Sequence, residues 1–275
     1  MKLLFVTDLH GDTRKYERTL EVALASGVEV VINGGDMLPK GGASRQAEFI
    51  TGYLEPYFAR YDASGIYHLG FLGNDDLRIY DQLFERICLR FPRVEPLAQR
   101  RLEIGGYQWV GFNWVPDFPF RLKDRARKDS QSFSFPRQFG TALLSSAPQG
   151  MQEIPDWFAY ADTLPSVAEE LRRLERPTHM ARAVYVIHTP PSGLGLDVTA
   201  TGERVGSTAV YDFLRANQPM LSLHGHIHES PGVSGRWQAW LGKTLCIQPG
   251  QLQPFTYVLG DLETMRFERV EEEVL

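Results

Sequence analysis

Lys2-Leu3-Leu4-Phe5-Val6-Thr7-Asp8-Leu9-His10 opens the chain, and its reading decides the fold. Lys2–Thr7 is a compact, mostly apolar run of the kind that forms a buried strand. Asp8 and His10 arrive only where that run ends. The pattern then repeats: Gly35-Asp36 follows Val28–Ile32, Gly73-Asn74-Asp75-Asp76 follows Ile66–Leu72, His188 follows Ala183–Ile187, and Gly225-His226-Ile227-His228 follows Met220–Leu223. A single Asp or His after a strand carries little information. Five such sites, offering only oxygen and imidazole ligands, read as a centre for two metal ions.

The segments between these runs look helical. Asp12–Ser26 has apolar residues on a helical spacing and Gly27 just past its end, a glycine stop. Met37–Ala43, with Pro39, Gly41 and Gly42, reads as a loop. Ser44 is expected to cap a helix to about Arg60, and Asp76 a helix to about Leu89. Strand–helix alternation of this kind predicts a layered α/β fold. Ligands in such folds gather at the carboxyl ends of strands, so motifs distant in sequence belong to one site. Arg101–Ile104 and Tyr107–Phe112 flank Gly105-Gly106 as a hairpin. Asn113–Trp157 shows no clean period and reads as an insertion or cap-like segment within one domain covering residues 1–275. Beyond it come a helix at Leu164–Glu175, a Gly/Pro loop at Pro190–Val205, a helix at Ser207–Ala216, and further strands at Thr244–Ile247, Phe255–Leu259 and Met265–Arg269.

Composition sets outer limits. Hydrophobic residues make up 43% of the 275, enough for a sizeable core. A formal net charge of −5 disfavours nucleic acid as a partner, although a local basic patch still binds phosphates. Cys88 and Cys246 lie among apolar residues and read as buried thiols in a reducing compartment. A first strand beginning at Lys2 leaves no room for a signal peptide, and no stretch approaches a membrane span. A cytoplasmic location without membrane partners is the expectation.

Two hard cations held close together need a bridging carboxylate, and an Asp at a strand end has a second oxygen free for that task. In Asp8-x-His10 and His226-x-His228, residues two apart on an extended segment share a face and reach one metal region. The ordered set D-x-H, G-D, G-N-x-D, H, G-H-x-H resembles the calcineurin-like metallophosphoesterase superfamily over Asp8 to His228. Pro190-Pro191 after His188 and the Gln248-Pro249-Gly250 turn add to the likeness. The resemblance implies a four-layer fold, two mixed β-sheets face to face and flanked by α-helices. It implies one ion on Asp8, His10, Asp36 and His228, and a second on Asp36, Asn74, His188 and His226, with Asp36 bridging and a metal-bound hydroxide attacking. The ions are divalent: manganese, iron, zinc or similar, by availability.

Asp75 departs from the family pattern, which usually has a proton-donating His there. A free Asp titrates near pH 3.9, and adjacent cations lower that further, so Asp75 is expected to be ionised and to repel a phosphate. Lost general-acid help hurts poor leaving groups most. The expected activity is therefore hydrolysis of a small-molecule or nucleotide phosphodiester. The alternatives are a nuclease, or a non-catalytic protein-interaction scaffold on the same fold. His224, beside the ligands, is a second candidate for a catalytic role, against a hydrogen-bonded histidine at a strand end. His68 reads as a packed core residue and His179 as a surface residue. Arg121–Lys128, flanked by Trp114, Phe118, Phe120, Phe133 and Phe135, is either a phosphate-gripping cap over the centre or a solvated surface helix.

Overall fold

A computed structural model describes residues 1–146 and 150–274. Its strands in chain order are β1 (Lys2–Val6), β2 (Val30–Asn33), β3 (Tyr67–Gly70), β4 (Val94–Pro96), β5 (Arg101–Ile104), β6 (Tyr107–Phe112), β7 (Val115–Pro116), β8 (Ala126–Arg127), β9 (Ala142–Ser146), β10 (Gly150–Ile154), β11 (Ala183–Ile187), β12 (Leu221–Leu223), β13 (Gln238–Leu241), β14 (Thr244–Ile247), β15 (Phe255–Asp261) and β16 (Arg266–Glu272). The main helices are α1 (Thr13–Ser26), α2 (Ala43–Phe49), α3 (Glu55–Ser64), α4 (Asp81–Cys88), α5 (Trp157–Asp162), α6 (Val167–Arg173) and α7 (Thr208–Asn217).

Two six-stranded sheets form, ordered β16-β15-β1-β2-β3-β4 and β13-β14-β12-β11-β6-β5. Both are mixed. The runs β1-β2-β3-β4 and β14-β12-β11-β6 are parallel, and antiparallel strands close the edges. Strand alternation sorts the core into layers. Leu3 and Phe5 of β1 face the second sheet and pack with Trp109, Val184, Val186, Leu221 and Ile247. Leu4 and Val6 face the other way, onto Tyr16, Leu20, Leu54 and Phe58 of the helices. On the far side of the second sheet, Val110, Tyr185 and Ile187 pack against Val167, Leu171, Val210 and Leu214 of α6 and α7. The order is helix, sheet, sheet, helix, as the sequence implied.

Several local expectations hold. Gly27 ends α1 in the left-handed region, and Asp12, not read as a cap from the sequence, caps it through the Arg14 N–H at 3.1 Å. Cys88 and Cys246 are buried free thiols. His68 is buried among Tyr57, Phe58 and Tyr61, and His179 is exposed. No helix among the described residues is long and apolar enough to cross a membrane. Two caps differ from expectation. Ser44 lies inside α2, which starts after Gly42 without a side-chain cap, and a π-helical turn at Ile50–Leu54 joins α2 to α3. Asp76 does not cap α4, because its carboxylate already accepts the N–H groups of Met37, Leu38 and Gly73 at 2.9, 2.8 and 2.7 Å.

The segment 113–157 has its own small core. Ala126, Ala142, Trp157 and Ala161 cluster with Phe118, Phe135, Ile154 and Leu164. β7 pairs with β8, and β9 with β10. Ala147–Gln149, inside this segment, lie outside the described residues.

Candidate metal centre

Each motif leaves the carboxyl end of a parallel strand: Asp8 and His10 follow β1, Asp36 follows β2, Asn74 and Asp75 follow β3, His188 follows β11, and His226 and His228 follow β12. The chain does not run straight through these points. Asp8, His10, Asp36 and His226 have φ of 56°, 46°, 51° and 71°, four of the seven non-glycine residues with positive φ among those described. Such backbone is costly outside glycine, and it concentrates where a site dictates it. The Asp8–His10 pair therefore converges by left-handed turns, not by the extended-strand alternation expected from its spacing. Backbone bonds lock the turns together: Asp8 N–H to Gly35 O, His10 N–H to Asp36 O, and Gly225 N–H to His188 O, each 2.9 Å.

Two of the motif glycines are required by crowding. A Cβ on Gly73 would stand 2.3 Å from the Asp36 nitrogen and from its Oδ1, and one on Gly225 would stand 2.0 Å from Thr7 Oγ1. The loops carrying the carboxylates and imidazoles touch only because these positions lack side chains.

The side chains fall into two groups. One ligand atom from each of Asp8, His10, Asp36 and His228 lies within 4.8 Å of the others. His10 Nε2 is 3.2 Å from His228 Nε2, which is 3.4 Å from Asp8 Oδ1. In the other group, Asn74 Oδ1 lies 2.8 Å from His188 Nε2 and 2.6 Å from His226 Nδ1. Asp36 joins the groups, its Oδ2 standing 3.5 Å from His188 Nε2. All seven positions named from the sequence thus belong to one connected cluster of side chains.

This donor set fits a cation. His188 Nδ1 faces Gly34 O at 2.7 Å and donates to it, which turns Nε2 on Asn74 Oδ1 and Asp36 Oδ2. With a neutral ring, three acceptors converge on one point, and only a proton or a metal ion relieves them. Burial alone would lower His188, but Asp36 and Asp8 outweigh it and hold it up at about 9. Burial likewise opposes the ionisation of Asp36, yet His188 and His10 hold its carboxyl well below the usual range. His226 is pushed down to about 3 by burial and by neighbouring His188, which leaves it a free lone pair. His10 Nδ1 is buried with no hydrogen-bond partner. Oxygen and imidazole donors of this kind suit divalent first-row ions.

Asp75 sits at the rim. Its Oδ2 is 3.0 Å from the Lys40 ammonium and 3.9 Å from His10 Nδ1, and its N–H donates to Asp36 Oδ1 at 2.8 Å. Burial and Asp36 raise its pKa, against Lys40 and His10, so any lowering has to come from bound cations and not from the protein itself. Nor is the carboxylate a bare repulsive charge, since Lys40 pairs with it. His224 is fully buried, and its Nδ1 faces Ile187 O at 2.9 Å and Thr189 O at 3.0 Å. Burial holds it down at about 4, so the neutral ring donates from Nδ1. Its Nε2 is buried with no hydrogen-bond partner among the described residues.

The surface-helix expectation for Arg121–Lys128 fails. The run is not a helix, and Lys123, Arg125, Arg127 and Lys128 are buried. Lys123 pairs with Asp117 at 2.8 Å, and Lys128 with Asp162 at 2.6 Å. Arg125 binds Asp81 and donates from Nε to Gly73 O at 2.7 Å, which ties the insertion to the Asn74 loop. Phe118 brings its ring edge-on to His226, centroids 5.9 Å apart, so the insertion does reach the centre. Lys40 is the site neighbour that motif reading missed, whereas Phe118 is among the aromatics named from the sequence for a cap over the centre. Lys40 carried one faint signal, a lone cation in a Gly/Pro loop just after Asp36.

A family model described as calcineurin-like phosphoesterase matches residues 1–230. Among solved structures, TT1561 of Thermus thermophilus superposes with a TM-score of 0.62 at 18% identity, covering 98% of each chain. A dimetal phosphatase from Danio rerio superposes with a TM-score of 0.55 at 12% identity, covering 100% of this chain and 96% of that one. No curated protein matches the sequence.

Proposed function

The chain belongs to the calcineurin-like phosphoesterase family, and from that premise we propose that it hydrolyses phosphate diesters at a centre of two divalent ions. Asp8, His10, Asp36 and His228 would hold one ion, and Asp36, Asn74, His188 and His226 the other, with Asp36 shared. When bound, such a pair polarises the phosphoryl group and activates water. The chain's own residues prepare the site. Gly34 O fixes the His188 tautomer, Asp8 accepts the His226 N–H at 3.1 Å, and Asp36 accepts the Asp75 N–H. These bonds hold the ligands in place before an ion arrives, which is the condition for preorganised catalysis.

The single observation carrying the diester preference is Asp75. It occupies the rim position where the family's proton donor usually stands, and its carboxylate is committed to Lys40. No imidazole there can protonate a leaving group, help typically worth about 10²–10⁴-fold. A centre of this kind favours esters whose leaving group needs no proton, and it is slow on alkyl monoesters. The Mn²⁺-loaded protein is expected to turn over bis-p-nitrophenyl phosphate faster than p-nitrophenyl phosphate. A monoester rate well above the diester rate would rule the preference out. Within the Arg121–Lys128 run, Lys123, Arg125, Arg127 and Lys128 are buried, which removes four cations from any face a nucleic acid strand would meet.

A further inference from the structure

Lys40 follows Asp36 by one short loop, and that loop is rigidly held. Met37 and Leu38 give their N–H groups to the Asp76 carboxylate at 2.9 and 2.8 Å. Gln46 Nε2 donates both to Pro39 O at 3.3 Å and to Asp75 O at 3.1 Å, clamping the Lys40 loop to the Asp75 loop. The backbone under Lys40 is thus registered against the metal centre from both sides. Its side chain is 60% exposed, while the ammonium rests 3.0 Å from Asp75 Oδ2, itself 3.9 Å from His10 Nδ1.

Such an exposed pair adds little to stability. Its placement gives it a different consequence. An ammonium has three donors, and Asp75 uses one of them. The other N–H groups remain for an anion arriving at the mouth of the pocket. The pair also changes the charge a substrate meets. Asp8, Asp36 and Asp75 put three carboxylates around the centre, and the third is cancelled by Lys40 at the edge where a phosphate enters.

We propose that Lys40 is a catalytic residue that binds an anionic oxygen of the substrate phosphate, and that Asp75 is the positioning residue that holds its ammonium over the centre. The assignment rests on the hydrolase proposal and names what the Asp at position 75 is for. No proton transfer is involved: the ammonium stays charged and donates a charge-assisted hydrogen bond to an oxygen that remains on phosphorus.

The test compares an anionic diester, bis-p-nitrophenyl phosphate, with a neutral triester, diethyl p-nitrophenyl phosphate, on the full chain loaded with Mn²⁺. Lys40→Ala is expected to lower kcat/KM on the diester about 10- to 100-fold and to lower the diester-to-triester ratio by about the same factor. Lys40→Arg should recover most of the loss. Asp75→Asn should weaken the diester reaction less than Lys40→Ala, and adding it to Lys40→Ala should cost little more, since both changes break one unit. Wild-type diester kinetics in Lys40→Ala, or equal losses on both substrates with no rescue by Arg, would overturn the proposal. If the wild type hydrolyses neither ester, the hydrolase proposal fails, and calorimetric binding of inorganic phosphate to the Mn²⁺-loaded protein decides Lys40 by itself. Affinity reduced about 10-fold or more in Lys40→Ala supports the assignment, and unchanged affinity refutes it.

Discussion

The pocket at the strand ends and the insertion at 113–157 place charged groups out of water by opposite means. In the pocket, left-handed backbone at Asp8, His10, Asp36 and His226 brings carboxylates and imidazoles together with their lone pairs facing inward. The carboxylates there have only imidazoles and the rim cation Lys40 as partners, and a divalent cation would complete the set. In the insertion, every buried cation but one has its own carboxylate among the described residues: Lys123 has Asp117, Arg125 has Asp81 and Lys128 has Asp162. The contrast teaches what an unsatisfied donor set means. Buried polar groups are normally paired within the fold. A cluster of lone pairs left facing one another, on strained backbone, is organised for something that comes from outside.

The sharpest way to break this comparison is to remove the shared carboxylate. Asp36→Asn takes one negative charge and one ligand oxygen from both halves of the pocket at once. Phosphodiester turnover is expected to fall to background, and metal content by plasma emission to fall below the wild-type ratio. Because Asp36 is held down by His188 and supports it in return, His188 loses the neighbour that keeps it near 9. Normal turnover in the Asp36→Asn variant would mean that the pocket does not work as one unit.

The insertion offers the next largest effect. The side chains of Lys123 and Asp117 are both fully buried. Burial pushes Lys123 down and Asp117 up, and each keeps the other charged. Lys123→Met should cost about 3–5 kcal/mol in urea unfolding, because it strands a buried carboxylate. Lys123→Met/Asp117→Leu should recover most of that loss, since a buried pair is often no better than an apolar one of similar volume. A double variant as unstable as the single would show that this pair specifies the packing of the insertion, not merely its own neutrality.

This difference also explains what could be read from the sequence. The pocket was legible because each motif is local: a run buried on both faces, as parallel strands are, and then ligands within a few residues of its end. The runs themselves gave an α/β alternation, and the two facing sheets came from the family resemblance. Strands without that signature went unseen, among them Val94–Pro96, short and ending in proline, and the half-exposed edge Gln238–Leu241. The insertion was opaque because its order comes from distant partners. Asp81 lies in a helix that precedes the hairpin, and nothing in Arg121–Lys128 marks Arg125 as its partner. Asp76 misleads for a related reason, since helix capping and bonding a remote loop use the same carboxylate. Lys40 illustrates the limit most clearly: its partner Asp75 lies beyond two helices and a strand, and only the fold brings them within 3.0 Å.

The smallest expected effect separates two arginines of one strand region. Arg125 binds Asp81 and the Gly73 carbonyl, whereas Arg127, equally buried, has no carboxylate within ion-pair distance among the described residues. Instead its guanidinium lies 3.8 Å from the Trp114 ring centroid, with Arg78 5.3 Å from the same ring. Burial first, and then Arg78, lower Arg127 to about 10, and its Nε has no acceptor. Arg127→Met therefore removes a poorly satisfied charge along with one cation–π contact, and the two nearly offset. Its expected cost is about 1 kcal/mol or less. Arg125→Met leaves Asp81, itself a third exposed, without its cation and the Gly73 carbonyl with only the Asp76 N–H at 3.3 Å, at about 2–3 kcal/mol, and it loosens the loop that carries Asn74. Diester turnover should fall in Arg125→Met and hold in Arg127→Met. Equal losses in both would mean that the insertion supports the pocket by bulk packing. A larger loss in Arg125→Met would locate that support in the contacts Arg125 makes with Asp81 and Gly73 O.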